Sequence, residues 1–136
     1  MTVRILVVDD HPVVRHGLRI LLGGHSEWEI IDEAEDGIEA VEKAKQLKPD
    51  VVILDVSMPK MDGLEACRRI RETTPDTEVL IVTQHDSPQM MREALGAGAR
   101  GYVVKSNVAR DLPAAVEAAS QHKPFVSEKK RKDDSQ

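Results

Sequence analysis

The chain has 136 residues, a formal net charge of −5, 40% hydrophobic residues and 32% charged ones, a balance that suits one globular domain with its own core. Aromatic residues are only 2%, which removes stacking platforms for bases, and the negative charge argues against a chain that binds nucleic acid over its whole surface. The lone cysteine, Cys67, excludes an internal disulfide; no apolar run approaches the roughly 20 residues of a membrane span, and no secretion signal is legible at the N-terminus, so a cytoplasmic setting is expected.

In chain order, Val3-Arg4-Ile5-Leu6-Val7-Val8 is a nearly continuous apolar run, as expected of a parallel strand buried on both faces, and it ends in Asp9-Asp10. Pro12 then opens a helix in which Val14, Leu18, Leu21 and Leu22 share a face. Glu29-Ile30-Ile31 predicts a second strand, and Ile38, Val41, Ala44 and Leu47 a second helix after Asp36-Gly37. The third strand, Val51 to Leu54, ends in Asp55. The helix after Asp62-Gly63 carries Leu64, Cys67 and Arg71, with Cys67 read as a small buried residue. Val79 to Val82 predicts a fourth strand ending in Thr83, and Ser87 is placed to cap a helix carrying Met91, Ala94 and Leu95. Gly101 to Val104 predicts a fifth strand ending in Lys105, followed by a helix on Leu112, Ala115, Val116 and Ala119. Residues 128–136 have no apolar anchor and read as a disordered charged tail, which leaves one domain over residues 1–127.

Five β-α repeats predict an α/β three-layer sandwich of the flavodoxin-like type, with a parallel five-stranded sheet of order 2-1-3-4-5. Ligands in such sheets bind beyond the carboxyl ends of the strands. There the sequence places Asp9, Asp10, Asp55, Thr83 and Lys105. Taken singly, each has an ordinary explanation as a cap, a turn residue, a strand former or a surface charge. Together they put three carboxylates on one rim, where mutual repulsion calls for a cation, and Mg2+ suits oxygen ligands of this kind. A carboxylate beside such an ion is a nucleophile for phosphorus. Asp55, on the central strand, is the expected one, with Thr83 and Lys105 offsetting charge on the transferring group. The five histidines, His11, His16, His25, His85 and His122, lack paired metal-ligand spacing. Gly96-Ala97-Gly98-Ala99-Arg100-Gly101 fits G-x-G-x-x-G but follows a helix and opens a strand, the reverse of the dinucleotide context.

Asp9-Asp10, the run Asp55-Val56-Ser57-Met58-Pro59-Lys60-Met61-Asp62-Gly63, and then Thr83, Tyr102 and Lys105 resemble the receiver domains of two-component response regulators over residues 2–126. Gly98 to Ser106 and Lys123-Pro124-Phe125 are most similar to the NarL/FixJ-type (LuxR-type) branch, whose members usually carry a C-terminal helix-turn-helix domain. The resemblance implies that Asp55 accepts phosphate from a sensor histidine kinase. It further implies that Asp10 binds Mg2+ directly, Asp9 through water, and Ser57 by its backbone carbonyl. Thr83 and Lys105 then contact the phosphate, Tyr102 is a switch aromatic that moves inward with Thr83, and Ser57 and His85 tune the lifetime of the phosphoform. Two departures stand out: Gln84 where a small residue is usual, and Ser106 where many receivers have proline. The expected partners are the kinase and, on phosphorylation, a second copy met through helix 4, strand 5 and helix 5, or through helix 1. DNA is expected only through an output domain beyond this sequence, and no membrane is expected. Beyond its own phosphorylation and slow autodephosphorylation, no enzymatic turnover is implied. The alternatives are a stand-alone receiver in a phosphorelay and a Mg2+-dependent aspartyl-phosphate phosphohydrolase. Many of those enzymes carry an acid two residues after the nucleophile, where this chain has Ser57.

Overall fold

Apolar runs buried on both faces pair side by side, and each strand returns to the sheet through a helix. The computed structural model describes residues 2–56 and 61–126. In chain order the elements are β1 (Val3–Val8), α1 (Pro12–Leu22), β2 (Trp28–Ala34), α2 (Gly37–Leu47), β3 (Val51–Asp55), α3 (Gly63–Thr73), β4 (Glu78–Thr83), α4 (Pro88–Gly96), β5 (Gly101–Val104), a 3-10 turn (Lys105–Asn107), α5 (Val108–Ser120) and β6 (Phe125–Val126). The ladders are parallel throughout, in the order β2-β1-β3-β4-β5-β6.

The first five strands keep the expected order. The sixth corrects the five-strand count: Phe125 and Val126 pair with Gly101 and Tyr102. Two residues carry too little periodicity to be read as a strand from sequence, and the pairing exists because α5 returns the chain to the free edge of β5. Alternation along the strands divides the core in two. Leu6, Val8, Val52, Leu54, Ile81 and Tyr102 face the side covered by α2, α3 and α4. Ile5, Val7, Ile53, Leu80, Val82 and Val103 meet Leu18, Leu22, Leu112 and Val116 of α1 and α5 on the other.

Local chemistry sets the helix starts. Asp36 accepts a hydrogen bond from the Glu39 N–H (2.8 Å) while Glu39 accepts one from the Glu35 N–H (2.8 Å), a reciprocal cap. Asp62 and Ser87 cap α3 and α4 through the N–H groups of Glu65 and Met90. The fifth helix begins at Val108, earlier than Asp111 suggested, and accommodates Pro113 in its second turn. The second strand is longer than its apolar triplet because its polar side chains are paired. Glu33 accepts from Arg15 (2.7 Å) and Arg19, and the Lys43 ammonium lies 3.2 Å from Asp32 and from Glu39. Charged side chains of this kind also guard an edge strand against further pairing.

At the end of the sheet opposite the carboxyl termini, the buried Glu78 carboxylate meets Arg71 (3.3 Å), Arg100 (3.1 Å) and His122 Nδ1 (2.5 Å). Burial alone would raise its pKa. Arg100, His122 and Arg71 outweigh that and hold the carboxyl below the usual glutamate range. No helix among the described residues is long and apolar enough to cross a membrane.

Candidate functional site

Asp9 leaves β1 with its own N–H donated to the Ala34 carbonyl (3.1 Å), which extends the β1–β2 ladder by one residue. Its carbonyl accepts from Arg15 (2.6 Å), and its Oδ1 accepts from the His11 N–H (2.9 Å). These bonds fix the carboxylate in a tight turn just before α1, whose N-cap residue is His11. Lys105, directly after β5, places its ammonium 3.4 Å from Asp9 Oδ2 and 3.4 Å from Asp55 Oδ1. One cation thus joins the ends of β1, β3 and β5. Both carboxylates are buried. Asp10 is partly exposed, yet its Oδ1 is buried and accepts no hydrogen bond, with His11 Nδ1 3.0 Å away.

Two carboxylates therefore share one ammonium, and a third, Asp10, lies beside them with His11. Such a donor set is under-neutralised, and an oxygen atom without a donor is what a divalent cation fills. The residues suit a divalent cation on these grounds, with Asp9 and Asp10 placed to offer carboxylate oxygens close together. Next to them lies a small cavity of about 90 Å³ lined by His11, Asp55, Gln84, His85 and Lys105, room for about three waters at liquid density. Of the three carboxylates, Asp55 is the one that lines it.

The backbone behind Asp55 is held by Gly63. Its N–H donates to the Val56 carbonyl (2.8 Å), and a Cβ at this position would lie 2.2 Å from the Asp55 carbonyl oxygen and 2.7 Å from Val56 Cα. Neither backbone atom can yield without moving Asp55. Gly63→Ala is expected to cost about 1–3 kcal/mol of stability, measured by urea unfolding, and to displace the Asp55 carboxylate. Wild-type stability in this variant would show that the loop has slack.

Thr83 ends β4, and its Oγ1 accepts from the His85 N–H (3.1 Å). The Tyr102 hydroxyl donates to the His85 carbonyl. His85 thus ties Thr83 to Tyr102 through its own backbone while its side chain borders the cavity. Tyr102 is buried in the α2–α3–α4 core, so the described conformation already has the ring inside. Burial raises its phenol pKa. Gln84 is exposed at the cavity mouth. Ser57 lies outside the described residues, as does the expected tail from residue 128.

Asp9, Asp10, Asp55, Thr83, Lys105 and His85 are brought to one rim. His11 was not among the residues picked from sequence. Its place directly after Asp9-Asp10 was the available signal, but adjacency does not say that the ring turns back onto both carboxylates. The remaining motifs are structural. Gly98, at φ +101°, turns the chain between α4 and β5, so the glycine run cradles no phosphate. Cys67 is fully buried, donates to the Ala97 carbonyl, and has its thiol pushed up to about 12 by burial, which leaves it inert as a nucleophile.

Comparison with known proteins agrees with this geometry. Residues 5–117 match the family described as response regulator receiver domain. The chain is 38% identical over 121 residues to the response regulator protein VraR of Staphylococcus aureus, covering 89% of this chain and 58% of VraR. It is 35% identical over 127 residues to the transcriptional regulatory protein DegU of Brevibacillus brevis, covering 93% of this chain and 54% of DegU. Among solved structures, a LuxR-family two-component response regulator from Aurantimonas sp. SI85-9A1 superposes with a TM-score of 0.88 at 37% identity, covering 92% of this chain and 89% of that one. The chain spans a little over half the length of the curated relatives it matches.

Proposed function

The chain belongs to the response regulator receiver domain family, in its NarL/LuxR-type branch, and from that premise we propose that Asp55 is its phosphoacceptor. The observation that carries the reading is the Lys105 ammonium 3.4 Å from both Asp9 and Asp55, beside the small cavity that Asp55 lines. The donor is a phosphohistidine on a sensor histidine kinase. An Asp55 carboxylate oxygen forms the new O–P bond as the N–P bond of the donor breaks, and the departing imidazole takes up a proton. Lys105 neutralises charge on the transferred group, and the Thr83 hydroxyl donates a hydrogen bond to a phosphoryl oxygen. Asp10, Asp9 and Asp55, with the Ser57 carbonyl that the family resemblance implies, would hold a Mg2+ ion, which would supply positive charge to the transferring group.

Phosphorylation adds about −1.5 to −2 of charge to this rim. Drawing Thr83 toward that charge takes its oxygen from the His85 N–H, and the His85 carbonyl is what holds the Tyr102 hydroxyl. The β4–α4 loop and Tyr102 are therefore the switch, biased by phosphate toward one packing. Its output is a DNA-binding domain beyond this sequence, reached through homodimers formed by α4, β5 and α5 or by α1, on which Val13 (82% exposed) and Ile20 (68%) stand clear of the core. The setting is the cytoplasm, where such a kinase delivers phosphate.

Incubation with acetyl phosphate, with and without Mg2+, tests the reading by intact mass. One added phosphoryl group that requires Mg2+ is expected; phosphoryl uptake unaffected by chelation would remove the metal from the account. Sustained release of product from small phosphoesters would favour a phosphohydrolase instead. Because His85 borders the cavity and Ser57 follows the acceptor by two residues, His85→Ala and Ser57→Ala are expected to change the rate of phosphate release from the phosphoform. Rates equal to wild type in both variants would remove these residues from control of its lifetime.

A further inference from the structure

We propose, on the reading above in which Asp10 ligates the cation, that Arg15 is a positioning residue for that site: by holding the peptide between Asp9 and Asp10 it aims the Asp10 carboxylate and so sets the affinity for Mg2+. Arg15 lies early in α1 (Pro12–Leu22), and its side chain is only 13% exposed. The guanidinium donates to the Asp9 carbonyl (2.6 Å) and to Glu33 Oε1 (2.7 Å) on β2. Its backbone N–H donates to the His11 carbonyl (3.1 Å). One residue therefore holds the main chain on both sides of Asp10.

A peptide unit is planar, so a bond to its carbonyl oxygen fixes the plane and with it the direction in which the next Cα leaves. Arg15 fixes the Asp9–Asp10 peptide in this way. The Asp10–His11 peptide is held through its N–H, which donates to Asp9 Oδ1 (2.9 Å). The backbone angles of Asp10 are therefore set by the two peptides that flank it. The tip of its side chain is held weakly by comparison. Oδ1 is buried without a hydrogen bond among the described residues, and its neighbour at 3.0 Å is the ring of His11, which is 65% exposed. A carboxylate in that state takes its aim from its backbone and from the rotamer that the backbone allows.

Glu33 keeps the guanidinium in place. Arg19 donates to the same carboxylate, and the Lys43 ammonium donates to the Glu33 carbonyl (2.5 Å). Arg19, and with it Arg15, holds the Glu33 carboxyl below the usual glutamate range against the opposing effect of burial. The anchor of Arg15 is thus built from α1, α2 and β2, and its planar fork suits two acceptors at once, which an ammonium cannot match. Charge and geometry predict opposite signs here. Arg15 is a cation near an acidic pocket, so by charge alone its removal would tighten the binding of a divalent cation. By geometry its removal weakens that binding.

The test uses the full chain with Mg2+ as the probe. Arg15→Met removes the donors and keeps an apolar stem for packing. Calorimetric titration is expected to show an affinity about tenfold weaker than wild type. Phosphoryl uptake from acetyl phosphate, followed against Mg2+ concentration, should need about tenfold more Mg2+ for its half-maximal rate and then reach a limiting rate near that of wild type. Arg15→Lys, which keeps the charge and can donate to one oxygen, is expected to recover part of the affinity. Urea unfolding checks that the variants are folded; where Arg15→Met is not, Arg15→Lys decides, with weaker binding than wild type expected and equal binding overturning the proposal. Binding by folded Arg15→Met as tight as wild type or tighter, a lower limiting rate at unchanged affinity, or Arg15→Lys no better than Arg15→Met would overturn the role of Arg15 and leave the acidic site intact. If the wild type binds no Mg2+, or Asp10→Asn binds it unchanged, the acidic pocket itself is not the cation site and both readings fall.

Discussion

Asp55→Asn is expected to abolish phosphoryl uptake from acetyl phosphate or a kinase, leaving the intact mass unchanged under conditions that fully label the wild type. Position and chemistry together single out this carboxylate. Asp9 is equally buried, but it does not line the cavity. Asp10 sits at the edge beside His11. Asp55 faces both the cavity and the ammonium. Replacing its carboxylate with a carboxamide removes the charged oxygen nucleophile at nearly constant shape, so a folded but unreactive protein should result, which circular dichroism would establish. Labelling retained in this variant would place the acceptor elsewhere.

The second large effect concerns stability. Glu78→Ala is expected to lower unfolding free energy by about 3 kcal/mol at neutral pH, the lower end of the cost of breaking a buried ion pair. The lower end applies because Arg71 and Arg100 are partly exposed and can turn to water once the carboxylate is gone. The pH dependence has a definite sign. A carboxyl whose folded pKa lies below its unfolded value stabilises fully above the unfolded value, about 4.3, and loses that contribution as pH falls through the folded one. Wild type should therefore lose stability below about pH 4.3 more steeply than Glu78→Gln. Parallel curves from urea titrations at several acidic pH values would show that Glu78 carries no such linkage.

These two residues mark what the sequence discloses and what it does not. Asp55 was legible because it ends a continuous β-branched run, and the flavodoxin-like topology sends every such end to one rim. Asp9, Thr83 and Lys105 were legible for the same reason, since the rule concerns strand polarity and requires no knowledge of side-chain contacts. Glu78 was not legible. It precedes Val79-Leu80-Ile81-Val82 and reads as a polar residue outside the strand, whereas its burial depends on Arg71, Arg100 and His122, which come from three other places in the chain. The same holds for β2: the run beyond Ile31 is strand because Arg15, Arg19 and Lys43 answer its acidic residues. Phe125 and Val126 were too few to show a period. His11 shows the limit at the site itself, where the direction of one ring decides that it meets both Asp9 and Asp10.

The central claim is that strand ends distant in sequence assemble around one acceptor carboxylate, and locating the acyl phosphate tests it most directly. The phosphoform should be trapped by borohydride reduction, which converts a phosphorylated aspartate to homoserine, and the digest mapped by mass spectrometry. The account predicts a single conversion, at Asp55. Conversion at Asp9 or Asp10, or stable phosphate on a histidine such as His11 or His85, would contradict it.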